Sequence, residues 1–393
     1  QVQDSTRVEP NAVYVIPPNK GMRLVDGTLE LEELPQPRGG NLLIDNFLRS
    51  LAEDQGSNAI CIILSGTGTD GSLGLEAVKA TVGMVMAQDE ASAKFDGMPR
   101  SAISTGLVDF VLPPKEMPAE LIRYVGLVSA NRGLPAPQGD AVSPETFDKL
   151  FQVLRKRTGH DFSLYKKNTI YRRINRRLSV LQISSVSDYL KYLRGSELEV
   201  DILFKELLIG VTSFFRDPGA FEVLADELLP DLIAKKGEGS TIRVWVPGCS
   251  SGEEAYSLAI LLHECLQDER GLNVQVFGTD IDPDAIDWAR AGVYPESILG
   301  DVSPERLRRY FIKEDGNRYR VKRVIRELLV FAQQNIIKDP PFTKLDLLSC
   351  RNLLIYLSAE LQRKLLPIFH YSLNPGGLLF LGSSETVGHN TGL

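Results

Sequence analysis

Residues 244–260 read VWVPGCSSGEEAYSLAI: an apolar strand, a turn of small residues from Pro247 to Gly252, and a helix opened by Glu253 and Glu254. Small residues between a strand and a helix let a ligand approach the backbone closely. This turn has neither the GxGxxG of dinucleotide sites nor the GKS or GKT of a P-loop, and its glutamates would repel a pyrophosphate. A cation, or a ligand rich in amino and hydroxyl donors, suits it better. Further candidates end later strands: Asp280 in GTDID, Asn335 in AQQNIIKD and Asn352 in SCRNLLIYL, with Tyr356 a helical turn beyond. In parallel sheets ligands bind beyond the carboxyl ends of the strands, and an acid at the second strand commonly accepts from a ribose diol. S-adenosyl-L-methionine fits this set, being a sulfonium with an α-ammonium, a ribose and no phosphate. The plainer alternative is that the two glutamates only favour the helix N-terminus through its dipole. The company of Asp280, Asn335 and Asn352 weighs against it.

The elements that must carry these residues alternate. The pattern predicts helices over 219–236, 253–268, 283–291 and 358–373. Strands are expected at 242–246, 273–279 and in LLVFAQQN, LDLLSCRN and GLLFLGSS. Alternation of this kind implies a doubly wound, mostly parallel sheet. Residues 145–220 look all-helical, with Ser143 as N-cap, Pro144 in the first turn and a stop near Gly159. TIYRRINRRLSVL and SVSDYLKYLRG continue the helical period. Residues 1–128 look α/β again, with strands in AVYVIP, AICIIL and MVMAQ and helices in NLLIDNFLRSLAED and LGLEAVKAT. The Pro-, Gly- and Ser-containing stretch 129–144 reads as a linker. The expected domains are therefore 1–128, 145–220 and 221–393.

Composition excludes several classes. A net charge of −7 argues against general nucleic-acid binding, which needs a broad basic face. Cys61, Cys249, Cys265 and Cys350 lie far apart, without CxxC, so neither structural zinc nor a disulfide framework is expected. No apolar run has membrane-span length and the start is polar, so a soluble, cytoplasmic protein, not embedded in a membrane, is expected. The first residue is Gln1, which reads as a fragment of a longer chain.

VTSFFRD (211–217), GCSSGEEAYSLAI, GTDID, QQNI, CRNLLIYL and NPGGLLFLGSSE occur in order over residues 145–390, and together they resemble the CheR chemotaxis receptor glutamate methyltransferases. The resemblance implies a Rossmann-like, S-adenosylmethionine-dependent methyltransferase domain preceded by a small all-α domain. It implies cofactor contacts by Thr212, Arg216, Glu254, Asp280, Asn335, Ile336, Asn352 and Leu353, with Glu253 able to stand in for Glu254. Gly210 departs from the family, which often has Asn there. The implied reaction is methyl transfer to glutamates of chemoreceptor-like proteins, leaving S-adenosyl-L-homocysteine. A glutamate of pKa about 4.3 is already ionised at pH 7 and needs no general base. Alignment and desolvation are then the protein's task. Arg216 and Tyr356 are the candidates at the reacting centre, since an arginine can hold a carboxylate bidentately and a tyrosine can orient its other oxygen. The alternative roles are a helix cap for Arg216 and core packing for Tyr356. His160, His263, His370 and His389 match no motif and read as structural or surface residues.

Between Lys149 and Arg177 stand ten basic residues and one acid, Asp161. Arg172, Arg173, Arg176 and Arg177 fall in two adjoining i, i+4 stripes. A solvated face would explain them. The resemblance implies a docking surface for glutamate-bearing receptor helices, which would be salt-sensitive. Residues 311–330 read as a small β-excursion turning at EDGN, too short and glycine-poor to suggest a receptor tether.

CIILSGTGTDGSLGLEAVKA (61–80) and AKFDGMPRSAISTGLVDFVLPP (93–114) resemble the catalytic domain of the CheB methylesterases. Asp70 matches that family's triad aspartate, although it also reads as an N-cap for the next helix. Residues 1–150 contain no histidine and no GxSxGG turn. An aspartate alone cannot activate a serine, because the imidazole carries the proton. The expectation is an incomplete, inactive esterase domain from a CheB–CheR fusion. The rival expectation for the chain is a non-catalytic cofactor-binding sensor or docking module.

Overall fold

The structure, a computed structural model, describes residues 1–34, 42–132, 144–208, 210, 212–266, 271–315 and 318–387. By compactness it groups into two units. One comprises Gln1–Thr158 with Ile170–Val211, the other Gly159–Thr169 with Thr212–Leu393.

The second unit is built on a five-stranded parallel sheet. Its order is Leu329–Gln333, Asn273–Asp280, Thr241–Pro247, Leu345–Cys350, Leu373–Leu381. Leu345–Cys350 is buried along its whole length, as a strand covered on both faces must be. The chain winds outward one way from Thr241–Pro247, then returns to start the other half at Leu345–Cys350. The strand order reverses between these two neighbours, which is where open α/β sheets hold ligands. Register fixes the site: Pro247 pairs with Thr279 and Gln333 with Asp280, so the loops after three strands leave from one level. The helices Glu253–Cys265, Pro283–Ala291 and Ala359–Ser372 fall where the periodicity places them. A small antiparallel sheet of Val293–Pro295, Phe311–Glu314 and Arg318–Val321 realises the expected β-excursion. Half of its EDGN turn lies outside the described residues.

The first unit holds a three-stranded parallel sheet, Ile60–Ile63, Met84–Gln88 and Phe110–Leu112. AVYVIP forms no strand; Val15 accepts one hydrogen bond from the Val2 N–H at 2.9 Å. Instead Lys20–Val25 and Thr28–Glu33 make an antiparallel hairpin across Asp26–Gly27. Both turn residues have positive φ, 48° and 73°, as a two-residue hairpin turn requires. Helices Pro144–Thr158, Val186–Gly195 and Glu197–Leu208, with most of Lys167–Leu181, belong to this unit too. The expected N-cap Ser143 and most of the linker lie outside the described residues. Among the described residues, no helix is long and apolar enough to cross a membrane. All four cysteines are free.

Candidate functional site

The turn after Thr241–Pro247 is shaped by backbone that L side chains rarely adopt. Gly252, which precedes the helix, has φ +96°, and an added Cβ would lie 2.8 Å from the Ala289 Cβ. Only glycine satisfies both conditions there. Tyr294 closes the turn from below, donating from its hydroxyl to the Ser251 carbonyl at 2.7 Å.

Four of the expected residues stand at the carboxyl ends of the strands: Asp280 closes Asn273–Asp280, Glu254 opens the helix after Thr241–Pro247, and Asn335 and Asn352 lie in the loops after Leu329–Gln333 and Leu345–Cys350. Asp280 accepts from the backbone N–H of Ser250 at 2.8 Å on one carboxylate oxygen and of Asp282 at 3.0 Å on the other. Each oxygen keeps a lone pair for a hydroxyl. Burial raises the Asp280 pKa from its ordinary value, against the pull of the backbone N–H groups it accepts from. Glu254 accepts from the Ser349 hydroxyl at 2.7 Å and lies 3.5 Å from an Arg351 nitrogen. Burial pushes its pKa up to about 7, against the pull of Arg351, Ser349 and Arg216. Glu253 instead turns to the Ser251 hydroxyl at 2.7 Å, and burial pushes it to about 7 as well. Asn335 offers its Oδ1 to the Ile337 N–H at 3.0 Å. Asn352 sits at φ 61°, its backbone N–H bound to the Glu385 carboxylate at 2.7 Å.

Thr212 and Ile336 are half-buried, Ile336 against the cluster that also holds Leu353. Gly248, at φ +69°, has Leu353 so close that a Cβ would stand 3.0 Å from its Cδ2. Arg216 is half-buried and near enough to Glu254 to favour its ionised form. Asp217, the residue after it, is the N-cap of Pro218–Val223. Tyr356 is half-buried in a short 3-10 turn, Leu354–Tyr356, rather than on an α-helix.

Several residues that the sequence analysis did not single out for the site hold this set in place. Arg351 is buried and donates to the Arg216 carbonyl at 2.9 Å and to Asp217 at 2.6 Å, tying the 216–217 loop to Glu254. Glu385 binds the N–H groups of Asn352, Leu354 and Gly382 at 2.7–2.8 Å. His160 lies with Nδ1 3.1 Å from Asn335 Nδ2. Arg351 and Glu385 stand inside quoted stretches, so a polar residue beside a strand-end motif was the available signal; His160 offered none.

The basic helix corrects its expectation. Arg173, Arg176 and Arg177 are only 2%, 4% and 7% exposed. Arg176 pairs with Asp109 and, at 2.6 Å, with Glu206; Arg173 donates to the Lys79 and Ala80 carbonyls at 2.7 and 3.0 Å. Arg177 makes a two-pronged pair with Glu199 at 2.9 and 2.8 Å. Three of the four arginines therefore present no free docking face, and Arg172 alone is exposed. Asp70 accepts from the N–H groups of Ile44 and Asp45 at 3.1 and 3.0 Å. It thus caps the helix Leu43–Gln55 from a distance; the helix after it has Gly71 as N-cap instead.

A parallel sheet with carboxylates and amides at the carboxyl ends of its strands is the architecture of a nucleoside-binding α/β protein. Residues 210–393 match the family described as CheR methyltransferase, SAM binding domain; residues 145–208 match its all-alpha domain, and residues 1–121 match CheB methylesterase. The chain is 36% identical over 250 residues to chemotaxis protein methyltransferase 1 of Pseudomonas aeruginosa, across 61% of this chain and 89% of that one. It is 38% identical over 407 residues to an uncharacterised 104.1 kDa protein of the hypE 3′ region of Rhodobacter capsulatus, across 98% of this chain and 42% of that one. A solved Thermotoga maritima CheB methylesterase catalytic domain is 32% identical, covering 31% of this chain and 67% of that one, at a TM-score of 0.29. The chain belongs to the CheR methyltransferase family and carries a CheB-type segment ahead of it. It spans well under half the length of the Rhodobacter relative.

Proposed function

We propose that the chain transfers a methyl group from S-adenosyl-L-methionine to glutamate side chains of chemoreceptor-type proteins. The observation that carries this reading is the placement of Glu254, Asp280, Asn335 and Asn352 at the carboxyl ends of the parallel strands, Asp280 closing one strand, Glu254 opening the helix after another, and the two asparagines in the loops that follow two more. The donor set fits the cofactor: buried carboxylates suit a cation and a diol, and amides suit a base. Asp280 would hold the ribose hydroxyls, and Glu254 would lie toward the positively charged end. Asn335 and Asn352 would flank the purine, with Ile336 and Leu353 as apolar walls and Thr212 and Arg216 closing the pocket. The bound cofactor supplies a methyl already activated by its positive sulfur.

The chain's own work is positioning. Arg216, tethered through its carbonyl to Arg351, would orient the incoming carboxylate, and the Tyr356 hydroxyl would steady its other oxygen. No proton need leave the acceptor, since a glutamate is ionised at pH 7. The esterase segment as it stands in this chain is read as lacking a complete triad, because residues 1–150 supply no histidine to pair with Asp70. A second reading, a cofactor-binding module that transfers nothing, draws support from the burial of Arg173, Arg176 and Arg177, which removes most of the expected docking face. Incubation with methyl-labelled cofactor and receptor fragments separates the two. Base-labile label on glutamate supports transfer; cofactor binding with no label supports the module.

A further inference from the structure

We propose that His160 is a positioning residue of the cofactor pocket: it locks the side-chain amide of Asn335 in one orientation, so that Asn335 presents a fixed donor–acceptor edge to the purine. This rests on the reading of the strand-end loops as an S-adenosylmethionine site, and adds a residue outside every sequence motif.

An asparagine amide has nearly the same shape either way round, so its neighbours decide which atom is which. The Ile337 N–H donates to Asn335 Oδ1 at 3.0 Å. The other arm is then Nδ2, which stands 3.1 Å from His160 Nδ1. An amide nitrogen only donates, so Nδ1 must accept and carry no proton. The imidazole proton therefore sits on Nε2, 3.0 Å from the Tyr165 hydroxyl, which accepts it. The ring must be neutral for this, and burial pushes its pKa down to about 4, with nearby Lys338 adding to the effect. Phe162 and Tyr165 hold the ring edge-on at centroid distances of 4.6 and 5.5 Å.

The segment that carries His160 is itself pinned to the strand-end loops. Lys338 reaches the Gly159 carbonyl at one end. At the other, the Lys166 N–H donates to the Tyr356 carbonyl at 2.9 Å and the Ser358 N–H to the Leu164 carbonyl at 3.0 Å. His160 is thus a fixed acceptor rather than a swinging one. With its orientation set, Asn335 retains one N–H on Nδ2 and one lone pair on Oδ1. That pairing matches the adjacent donor and acceptor of adenine, N6 and N7. Hypoxanthine, with an oxygen in place of the 6-amino group, mismatches it.

Calorimetric titration of the full chain with S-adenosylhomocysteine and its 6-oxo analogue S-inosylhomocysteine tests the role. His160→Asn places an amide oxygen near the position of Nδ1; His160→Gln reaches toward Nε2 and leaves Asn335 without its acceptor. Wild type and His160→Asn should bind S-adenosylhomocysteine within about threefold of each other, and His160→Gln about tenfold more weakly. His160→Gln should also lose most of the preference for the adenine ligand, which a general loosening of the fold would not single out. In an Asn335→Ala background, His160→Gln should have no further effect. Absence of binding to the wild-type chain would overturn the site reading. Binding and base preference unaffected by His160→Gln would overturn this inference alone. Should the variants fail to fold, NMR of the histidine ring nitrogens in the wild-type protein decides: a proton on Nε2 supports the role, and a proton on Nδ1 overturns it.

Discussion

Glu254 shows how one side chain can carry both affinity and pH response. In the free protein it titrates near pH 7, because burial outweighs the pull of Arg351 and Ser349. A cationic ligand favours its charged form. Cofactor binding should therefore release a proton near neutral pH, and affinity should fall as pH drops below about 7, the value burial sets for this carboxyl. Titrations in buffers of different ionisation enthalpy measure the released proton directly, and Glu254→Gln should abolish it and weaken binding by about tenfold. The sign for stability is the opposite of the usual carboxylate case. Glu253 and Glu254 are raised from 4.5 to about 7 on folding, so their contribution to the stability of the free protein is present below about 4.5 and lost as pH rises through about 7. Arg216→Ala should lower turnover by tenfold or more, on the order expected for a lost charge-assisted contact, read from initial rates, and should weaken cofactor binding as well, because Arg216 also closes the pocket and favours the ionised form of Glu254. The residues on strand ends were legible in the sequence because spacing alone puts them there. His160 was not, since it acts through Asn335, 175 residues away in the chain; Arg351 and Glu385 stood inside quoted stretches, but nothing in those stretches named their partners.

Elements were legible in proportion to their pattern. The five strands of the second sheet are β-branched or leucine runs between helices, and their boundaries fell within a few residues of the structure. AVYVIP carries the same composition but leaves Val13 92% exposed and pairs with no sheet edge, so composition misled. The hairpin Lys20–Glu33 was missed although Asp26–Gly27 between alternating residues is a turn signal; its charged outer face hid the strands. The turn that opens the helix Glu253–Cys265 depends on one residue. Gly252→Ala must adopt φ +96° with its Cβ 2.8 Å from Ala289, and should cost roughly 1–3 kcal/mol. Because the same turn carries Ser250 to Asp280, cofactor affinity should fall with it. Paired thermal melts and titrations of this variant check both effects.

At the scale of the whole chain, charge that looked like a surface proved to be interior. Lys79, Asp109, Arg173, Arg176 and Glu206 form one buried cluster within the first unit, joining the CheB-type segment to helices of the CheR all-α segment. Sequence could show the basic stripe but not its partners, which lie 67 and 30 residues away from Arg176. Removing one member strands the others, so Asp109→Ala should destabilise the first unit by about 3–5 kcal/mol, measured by chemical denaturation. The CheB-type segment then serves as a structural partner of the helices, whatever its chemistry. Both segments share the chain with a sheet whose strand-end loops define the proposed pocket, and that pocket is the claim on which the rest depends. Calorimetric titration of the folded chain with S-adenosyl-L-methionine tests it most directly, run beside Asp280→Ala. One cofactor bound per chain, with binding weakened by about tenfold or more in Asp280→Ala, is the predicted result; no uptake by folded wild-type protein, or uptake indifferent to Asp280, would contradict it.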